Sequence, residues 1–342
     1  MVNRSFSSAT INWGGCASAA ASVQRLAELL DAPVITTINA KGVLPGTINS
    51  PHPLDLGANG AFQPVRELAA AADVILALGT EIGETDYDVV FDDGFALNGR
   101  LIRVDIDAEQ VASHNSLALG IVSDARSFAE ALALSFDKPL DHNGNACVIQ
   151  IRKALNLAHD DDFGPYLPLY QNLETYLPDA ILVGDSTTPV YAGNHLVSQR
   201  FARRYFNAST GYGTLGYALP AALGAKVAKP DLRVVALVGD GGLMFTVAEL
   251  ATMMQEGINV LVIIWNNCGY EEIRRYMDKA GVERLGVNII APKFKELCGS
   301  MKAPYCRVTS PETLASALKN WSQQAPLVIE IQADSWLDAL ED

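Results

Sequence analysis

Two apolar segments joined by a glycine turn and a helical segment constrain the fold of this chain more than any other feature. Residues 233–238 are apolar and rich in valine, which predicts a buried strand that ends at Gly239-Asp240-Gly241. Residues 246–257 are predicted to form a helix, and residues 259–265 a second apolar strand that ends at Asn266-Asn267. This alternation indicates a parallel sheet covered on both faces, with the two polar clusters at the carboxyl ends of neighbouring strands.

The polar residues at these two strand ends have the chemistry of a metal and phosphate site. Asp240 offers a carboxylate oxygen and Asn267 an amide oxygen, and both are hard donors of the kind that Mg²⁺ prefers. Gly241 and Gly242 allow backbone N–H groups to approach a diphosphate at the start of the following helix. The sequence therefore predicts a clamp for a metal ion and a diphosphate.

Composition and charge narrow the class of protein. With 342 residues the chain is long enough for two α/β domains, and its net charge of −14 argues against nucleic acid and anionic membrane surfaces as partners. The five cysteines show no paired metal spacing, and their odd number fits a reduced, cytoplasmic protein. From the sequence we expect neither a signal peptide nor a membrane-spanning segment.

Two regions of alternating helices and strands are separated by a polar stretch. We predict a first domain over residues 1–136, a linker with one helix over residues 137–165, and a second domain over residues 166–342. Strands alternating with helices in both regions predict the α/β class, with two Rossmann-like, three-layer domains built on parallel sheets.

The segment from Gly239 to Met277 resembles the cofactor signature of the thiamine diphosphate-dependent 2-oxo acid decarboxylase and acetolactate synthase family. That signature is Gly-Asp-Gly, about two dozen residues, and Asn-Asn; here 24 residues intervene. The resemblance implies thiamine diphosphate and Mg²⁺ as cofactors, with Asp240, Asn267 and the backbone carbonyl of Gly269 as metal ligands. The alternative for the glycines taken alone is an ordinary strand-to-helix turn.

Further cofactor contacts are predicted at two other places. Residues 185–188 follow the predicted strand 180–183, where they either bind the cofactor or form a plain polar turn. Residues 209–222 are similar to a glycine-rich run of the family, which implies that Leu215 wedges under the cofactor and that the Gly213 carbonyl accepts from its amino group. These two are the predicted catalytic residues, the alternative for Leu215 being a core position. The predicted cofactor-binding residues are Asp185, Ser186, Thr187, Gly213, Thr214, Leu215, Gly239, Asp240, Gly241, Gly242, Asn267, Gly269 and Tyr270.

The first region resembles the central domain of the same family, through residues 31–57, 72–88 and 100–111. Some members bind FAD there, but residues 81–86 lack the arginines of the corresponding run, so we expect a structural domain. The resemblance covers roughly residues 14–338. Full-length members also have an N-terminal pyrimidine-binding domain with an activating glutamate. We expect this chain alone to be weak or inactive and to need a partner chain with that domain.

The residues around the signature favour one reaction within the family. Residues 185–194, 269–277 and 286–288 resemble those of 5-guanidino-2-oxopentanoate decarboxylases, which implies decarboxylation of a 2-oxo acid to an aldehyde. Glu271 or Glu272 either pairs with a guanidinium group or is solvated. The alternatives are an acetolactate-type carboligase and a truncated chain that binds cofactor without turnover. The resemblance also implies a homo-oligomer.

Overall fold

The computed structural model describes residues 8–12, 14–83, 95–113 and 117–341. The chain divides into two compact units, one formed by Met1–His159 with Val197–Arg204 and the other by Asp160–Leu196 with Tyr205–Asp342. The domain boundaries given above stay a prediction. Residues 84–86 belong to the run 81–86 that lacks arginines, and they lie outside the described residues.

The first unit is built on a five-stranded sheet in which every described pairing is parallel, in the order β2-β1-β3-β4-β5. Its strands are β1 Ser8–Asn12, β2 Val34–Thr36, β3 Val74–Leu78, β4 Arg100–Asp105 and β5 Leu117–Val122. Its helices are α1 Ala20–Leu30, α2 Gln63–Ala71, α3 Ala108–Ala112, α4 Ala125–Ala133 and α5 Gly144–Leu155, with short 3-10 helices at Gly14–Ser18, Ile38–Ala40 and Leu157–His159.

Alternating residues of β3 enter two separate apolar clusters in this unit. Leu76 and Leu78 pack with residues of α1 and α4, whereas Ile75 and Ala77 pack with residues of α2 and α5. Because successive side chains of a strand point to opposite faces, the sheet is covered by helices on both sides. The three-layer prediction is confirmed for this unit.

The second unit is built on a six-stranded parallel sheet in the order β10-β11-β9-β8-β6-β7. Its strands are β6 Ile181–Gly184, β7 Tyr205–Asn207, β8 Val234–Gly239, β9 Leu261–Asn266, β10 Tyr305–Val308 and β11 Leu327–Gln332. Its helices are α6 Leu167–Tyr176, α7 Thr188–Leu196, α8 Ala218–Ala228, α9 Asp240–Met244, α10 Glu249–Gln255, α11 Glu271–Lys279, α12 Phe294–Ser300, α13 Pro311–Asn320 and α14 Ala333–Glu341, with 3-10 helices at Gly164–Tyr166 and Ala208–Thr210.

The central strands of this sheet are buried on both faces. Every residue of β8 and β9 is buried, as expected for parallel strands between two helical layers. Val234, Ala236 and Val238 enter the apolar cluster formed with α8, α10 and α12. The predicted α/β class and parallel sheet are therefore confirmed for the second unit as well.

The helix predicted over residues 246–257 differs from the observed one. A short helix, α9, begins directly at Asp240, and α10 covers only Glu249–Gln255. The chain leaves α10 at Gly257, whose φ of +61° is the left-handed conformation that glycine adopts without strain. Among the described residues, no helix has both the length and the apolar character needed to span a membrane.

Candidate functional site

The site predicted from sequence lies where three neighbouring strands end. β6 ends at Gly184, β8 at Gly239 and β9 at Asn266, and the register pairs Gly184 with Leu237 and Gly239 with Trp265. From here the chain continues from β6 to β7 on one side of the sheet and from β8 to β9 on the other. A reversal of this kind opens a crevice outside the carboxyl ends of parallel strands, where such sheets bind ligands.

Three oxygen atoms converge at the end of β8 and β9. The amide oxygen of Asn267 faces only acceptors, and its position lies 3.3 Å from Asp240 Oδ1 and 2.8 Å from the carbonyl oxygen of Gly269. Turning the amide by 180° would place two N–H donors there instead, so the favoured orientation depends on whether a cation lies between the oxygens. An octahedral Mg²⁺ with ligands at about 2.05 Å holds adjacent oxygens about 2.9 Å apart.

This oxygen cluster fits a small, hard cation. The described residues contain no group of three or more His, Cys, Asp or Glu side chains placed to hold a metal ion. A cation at Asp240 would therefore depend on amide, carbonyl and ligand oxygens for the rest of its coordination. Mg²⁺ commonly binds in this way, through one or two carboxylates and the phosphates of a ligand.

Hydrogen bonds between side chains and the backbone hold the loop that carries this cluster. The N–H of Gly269 donates to Asp240 Oδ2 at 3.1 Å, and Arg274 Nη2 donates to the carbonyl of Asn267 at 3.1 Å. A Cβ on Gly269 would lie 2.8 Å from the carbonyl oxygen of Val287 and 2.9 Å from Arg274 Nη1, so a side chain does not fit there. Asp240 and Arg274 thus hold residues 267–269 in place.

Asp240 is buried, and its electrostatic environment reflects that. Removal from water raises the pKa of its carboxyl group, and backbone N–H groups of Gly241 and Gly269 partly oppose this rise. A divalent cation nearby stabilises the ionised form of such a buried carboxylate, because the cation offsets the free-energy cost of removing the charge from water.

Glycines form the wall of the site next to Asp240. A Cβ on Gly241 would lie 2.7 Å from Cε1 of Tyr270, and one on Gly242 would lie 3.1 Å from Asp185 Oδ2. Both glycines line a cavity of about 240 Å³ outside the strand ends. The predicted residues that line it are Ser186, Thr187, Gly213, Leu215, Gly239, Asp240, Gly241, Gly242, Asn267, Gly269 and Tyr270.

Asp185 and Thr214, also predicted as cofactor contacts, are not among the residues that line this cavity. Thr214 is exposed on the loop before α8. Asp185 is fully buried and accepts from the N–H groups of Ser186 at 2.9 Å and Gly216 at 2.8 Å. Burial raises its pKa, and these N–H groups oppose the rise. Asp185 therefore ties the end of β6 to the loop that carries Gly213 and Leu215.

The two predicted catalytic residues lie on that loop, at the cavity. Gly213 has φ of +65°, and its carbonyl accepts from the Ser186 hydroxyl at 3.1 Å. A carbonyl oxygen has two lone pairs, so one remains for a ligand donor. Leu215 is half-buried, with Cδ2 3.7 Å from the Cβ position of Gly242. Its exposed apolar surface forms part of the cavity wall.

Sequence reasoning missed two cavity residues, Tyr191 and Ile273, whereas Thr188 belongs to the segment 185–188 that was predicted to contact the cofactor. Thr188 and Tyr191 are three positions apart in the first turn of α7, which places both on one helix face. The signal was available, because a helix that follows a strand end directly presents its first turn to the same crevice. Burial raises the pKa of the Tyr191 phenol, so this group stays protonated and can donate a hydrogen bond.

Glu271 and Glu272, at the start of α11, also line the cavity. Glu271 forms an ion pair with Arg274. Glu272 has a looser partner, because its Oε2 lies 3.8 Å from Nη1 of Arg275, and Arg275 also pairs with Asp162. Desolvation raises the pKa of Glu272, and the charge of Arg275 opposes this. Each glutamate thus has an arginine partner within the chain, and a contact of either one with a guanidinium group of a ligand stays a prediction.

Comparison with known proteins gives the family. A family model described as "Thiamine pyrophosphate enzyme, C-terminal TPP binding domain" matches residues 185–331, and another described as "Thiamine pyrophosphate enzyme, central domain" matches residues 9–132. Together the two ranges span more than half of the chain. The chain belongs to the thiamine pyrophosphate enzymes. The central-domain match lies within the first unit, and most of the C-terminal match lies in the second.

The relatives of this thiamine pyrophosphate enzyme include a decarboxylase and several acetolactate synthases. A protein of Pseudomonas aeruginosa named "Probable 2-ketoarginine decarboxylase AruI" is 35% identical over 305 residues, which cover 88% of this chain and 53% of the relative. A "Probable acetolactate synthase large subunit" of Methanococcus aeolicus is 28% identical over 318 residues, covering 86% and 52%. An "Acetolactate synthase" of Mycobacterium bovis is 31% identical over 280 residues, covering 77% and 43%. The chain thus spans about half the length of these curated relatives.

Two features of the site fit the cofactor of this family. With the Asn267 amide oxygen turned inward, three oxygens converge in a geometry suited to a hard cation, and Gly241 and Gly242 carry no side chain where a diphosphate would approach the backbone. The residues that would hold the metal are Asp240, Asn267 and Gly269, and those that would contact the diphosphate are Gly241 and Gly242.

Proposed function

We propose that the second unit binds thiamine diphosphate through Mg²⁺, and that the protein decarboxylates a 2-oxo acid to an aldehyde. The observation that carries this proposal is the closeness of three polar groups at the strand ends, with the Asn267 side-chain amide 3.3 Å from Asp240 Oδ1 and 2.8 Å from the Gly269 carbonyl oxygen. When bound, thiamine diphosphate supplies the electron sink for decarboxylation. The protein supplies binding, orientation and electrostatics.

The residues of the cavity have distinct parts in this proposal. Backbone N–H groups of Gly241 and Gly242 would bind the diphosphate, and the carbonyl of Gly213 would accept from the amino group of the pyrimidine ring. Leu215 would pack against the ring system of the cofactor. The hydroxyl of Ser186 holds the Gly213 carbonyl in place, since it donates to that oxygen at 3.1 Å. Thr187 and Tyr270 complete the wall.

We propose that the substrate carries a cationic end, as 5-guanidino-2-oxopentanoate does. Asp240, Glu271 and Glu272 line the cavity, and no lysine or arginine is found among the described residues that line it. Glu272 is the better candidate to meet a guanidinium group, because its own partner Arg275 is 3.8 Å away and also bound to Asp162. A relative named as a 2-ketoarginine decarboxylase supports the same substrate class.

Replacing Glu272 tests the substrate class. A charge-assisted hydrogen bond is worth roughly 1.5–3 kcal/mol, so Glu272→Gln should lower kcat/KM for 5-guanidino-2-oxopentanoate about 10- to 100-fold. The kcat/KM for 2-oxohexanoate, whose side chain is uncharged, should change less than about threefold in the same variant. Glu271→Gln is the comparison variant: because Glu271 pairs with Arg274, which binds the Asn267 carbonyl, this change should affect both substrates alike. An equal fall in kcat/KM for both substrates in Glu272→Gln would show that Glu272 does not bind the guanidinium group.

A carboligase of the acetolactate type is the second candidate. Relatives named as acetolactate synthases favour it. The products separate the two reactions, because a decarboxylase releases one aldehyde per 2-oxo acid and a carboligase joins two carbonyl compounds. Incubation with pyruvate and with 5-guanidino-2-oxopentanoate, followed by product analysis, distinguishes them. Acetolactate as the main product would replace the decarboxylase proposal.

We further propose that turnover requires a pyrimidine-binding domain at the cavity, and that the protein forms a homo-oligomer, associates with a chain that supplies this domain, or both. Exposed apolar side chains on the segments around the cavity support a partner surface there: Tyr212, Phe245, Ile273, Tyr276 and Ile290. Consumption of 2-oxo acid should rise at least about 100-fold when that domain is added, since acid–base groups contribute about 10²–10⁴. Cofactor binding with no turnover under either condition would instead favour a non-catalytic, cofactor-binding chain.

We also propose a cytoplasmic location. All five cysteines are free, as expected in a reducing compartment.

A further inference from the structure

Glu330 is a buried carboxylate that lies behind the candidate metal site and outside the cavity. It lies on β11, is 1% exposed, and pairs in register with Ile264 of β9. A charged side chain in the middle of a parallel sheet is costly unless its oxygens accept hydrogen bonds. Nothing in the proposed binding of cofactor or substrate uses this carboxylate.

Three donors surround the Glu330 carboxylate. Asn266 Nδ2 donates to Oε1 at 2.8 Å, the Tyr305 hydroxyl donates to Oε2, and Arg307 Nη2 lies 3.5 Å from the same Oε2. Burial raises the pKa of Tyr305 to about 12, so this phenol keeps its proton and acts as the donor. One oxygen is therefore engaged by Tyr305 and Arg307, and the other is directed at Asn266.

This arrangement fixes which way the Asn266 amide points. The carboxylate is an acceptor only, so the NH₂ of Asn266 must face it. The amide oxygen then faces the following loop, where it accepts from the N–H of Cys268 at 3.3 Å. Reversal of the amide would set its NH₂ against that N–H, donor against donor.

The Cys268 N–H belongs to the segment that carries the candidate metal ligands. Cys268 lies between Asn267 and Gly269, and its φ of +54° is an uncommon backbone conformation for a residue other than glycine. The turn closed by Asn266 onto Cys268 supports this conformation. The directions of the Asn267 amide and the Gly269 carbonyl therefore depend on how Asn266 is oriented.

We propose that Glu330 is a positioning residue for the metal site: by fixing the amide of Asn266, it holds residues 267–269 in the conformation that directs their oxygens toward the cation. The metal-binding part of this inference rests on the proposed function, whereas the orientation of Asn266 does not. Outer partners of this kind typically change metal affinity about 10- to 100-fold when they are replaced.

An exchange of donor and acceptor tests the proposal. In Glu330→Gln, Tyr305 and Arg307 hold the carbonyl oxygen of the new glutamine, so its NH₂ faces Asn266 and reverses that amide. In the double variant Glu330→Gln with Asn266→Asp, the new carboxylate accepts from both the glutamine and the Cys268 N–H. The double variant thus restores every hydrogen bond with the two partners' roles exchanged.

Two measurements distinguish the outcomes. In metal-free protein, hydrogen exchange at the Cys268 amide should become about tenfold faster in Glu330→Gln and return to within about threefold of wild type in the double variant. With saturating thiamine diphosphate, the Kd for Mg²⁺ should rise about tenfold and recover in the same order. Wild-type values in Glu330→Gln, or no recovery in the double variant, would overturn the proposal. Failure of the wild type to bind Mg²⁺ would overturn the proposed function and leave the exchange result intact.

Discussion

Two helical glycines of the second unit differ in what a methyl group would meet. A Cβ on Gly241 in α9 would lie 2.7 Å from Tyr270 Cε1 and 3.1 Å from Ile289 Cδ1, so the wall of the cavity must shift. A Cβ on Gly224 in α8 meets no atom within 4 Å. The same substitution therefore has opposite consequences at the two positions.

We expect Gly241→Ala to weaken thiamine diphosphate binding about tenfold, because overpacking costs about 1–3 kcal/mol and displaces Tyr270. Gly224→Ala is the control and should stabilise the protein by about 0.5–1 kcal/mol, since alanine is the better helix former. Calorimetric titration gives the first quantity and urea unfolding the second. Unchanged cofactor affinity in Gly241→Ala would show that this glycine does not border the bound cofactor.

Individual residues could be predicted from sequence where a strand end fixes them. Asp240 and Asn267 follow strands that pair side by side, so their convergence follows from the parallel sheet. Asp185 also follows a strand, yet its carboxylate turns inward to accept from Gly216. The direction of that side chain depends on a loop that returns 31 residues later, and no local pattern encodes it.

At the scale of elements, strands were predicted more accurately than helix starts. A strand such as β9 is apolar along its whole length because both faces are buried, which makes its limits visible in the sequence. The start of α9 at Asp240 was missed because three glycines in four residues favour a turn. Here tertiary packing against β8 and β9 overrides the local preference.

One short segment joins a unit that its place in the sequence would not suggest. Val197–Arg204 lies between α7 and β7 of the second unit but packs in the first. Lys41 Nζ donates to the carbonyl of Val197 at 2.7 Å, and the N–H of Gly46 donates to the carbonyl of Gln199 at 3.0 Å. These contacts span more than 150 residues, so local patterns do not reveal them.

The buried Lys41, which binds the segment Val197–Arg204, makes the free energy of unfolding depend on pH. Burial lowers its pKa from 10.5 to about 8, although the charge of Asp55 opposes the fall. Between about pH 8 and 10.5 the unfolded chain therefore holds more protons at this position, and the free energy of unfolding rises with pH. Below pH 8 both states are protonated, and the cost of burying the charge is present in full.

We expect the wild type to gain about 1–3 kcal/mol relative to Lys41→Met between pH 7.5 and 10, because methionine has no titrating group. Urea unfolding of both proteins at the two pH values gives this difference, and the other titrating groups cancel in it. A difference that stays constant, or falls, with rising pH would mean that Lys41 titrates normally in the folded state.

At the scale of the whole molecule, the sequence was sufficient for the class of fold and the family. Alternating helices and strands predicted two three-layer units, and the Gly-Asp-Gly and Asn-Asn pair predicted the thiamine pyrophosphate enzymes. What could not be predicted is how polar groups behind the site, such as Glu330, support it. Glu330 and Asn266 lie 64 residues apart on different strands, and no sequence pattern indicates that their side chains meet.

The most direct test of the proposed function is calorimetric titration of the whole chain with thiamine diphosphate, with and without Mg²⁺. Asp240→Asn removes the central carboxylate of the oxygen cluster, and Asp231→Asn, an exposed position before the opposite end of β8, is the control. We predict Mg²⁺-dependent binding in the wild type and in Asp231→Asn, and binding weakened more than about 100-fold in Asp240→Asn, since even outer partners of a metal contribute 10- to 100-fold. Binding that needs no Mg²⁺ and is unchanged in Asp240→Asn would contradict the proposed site.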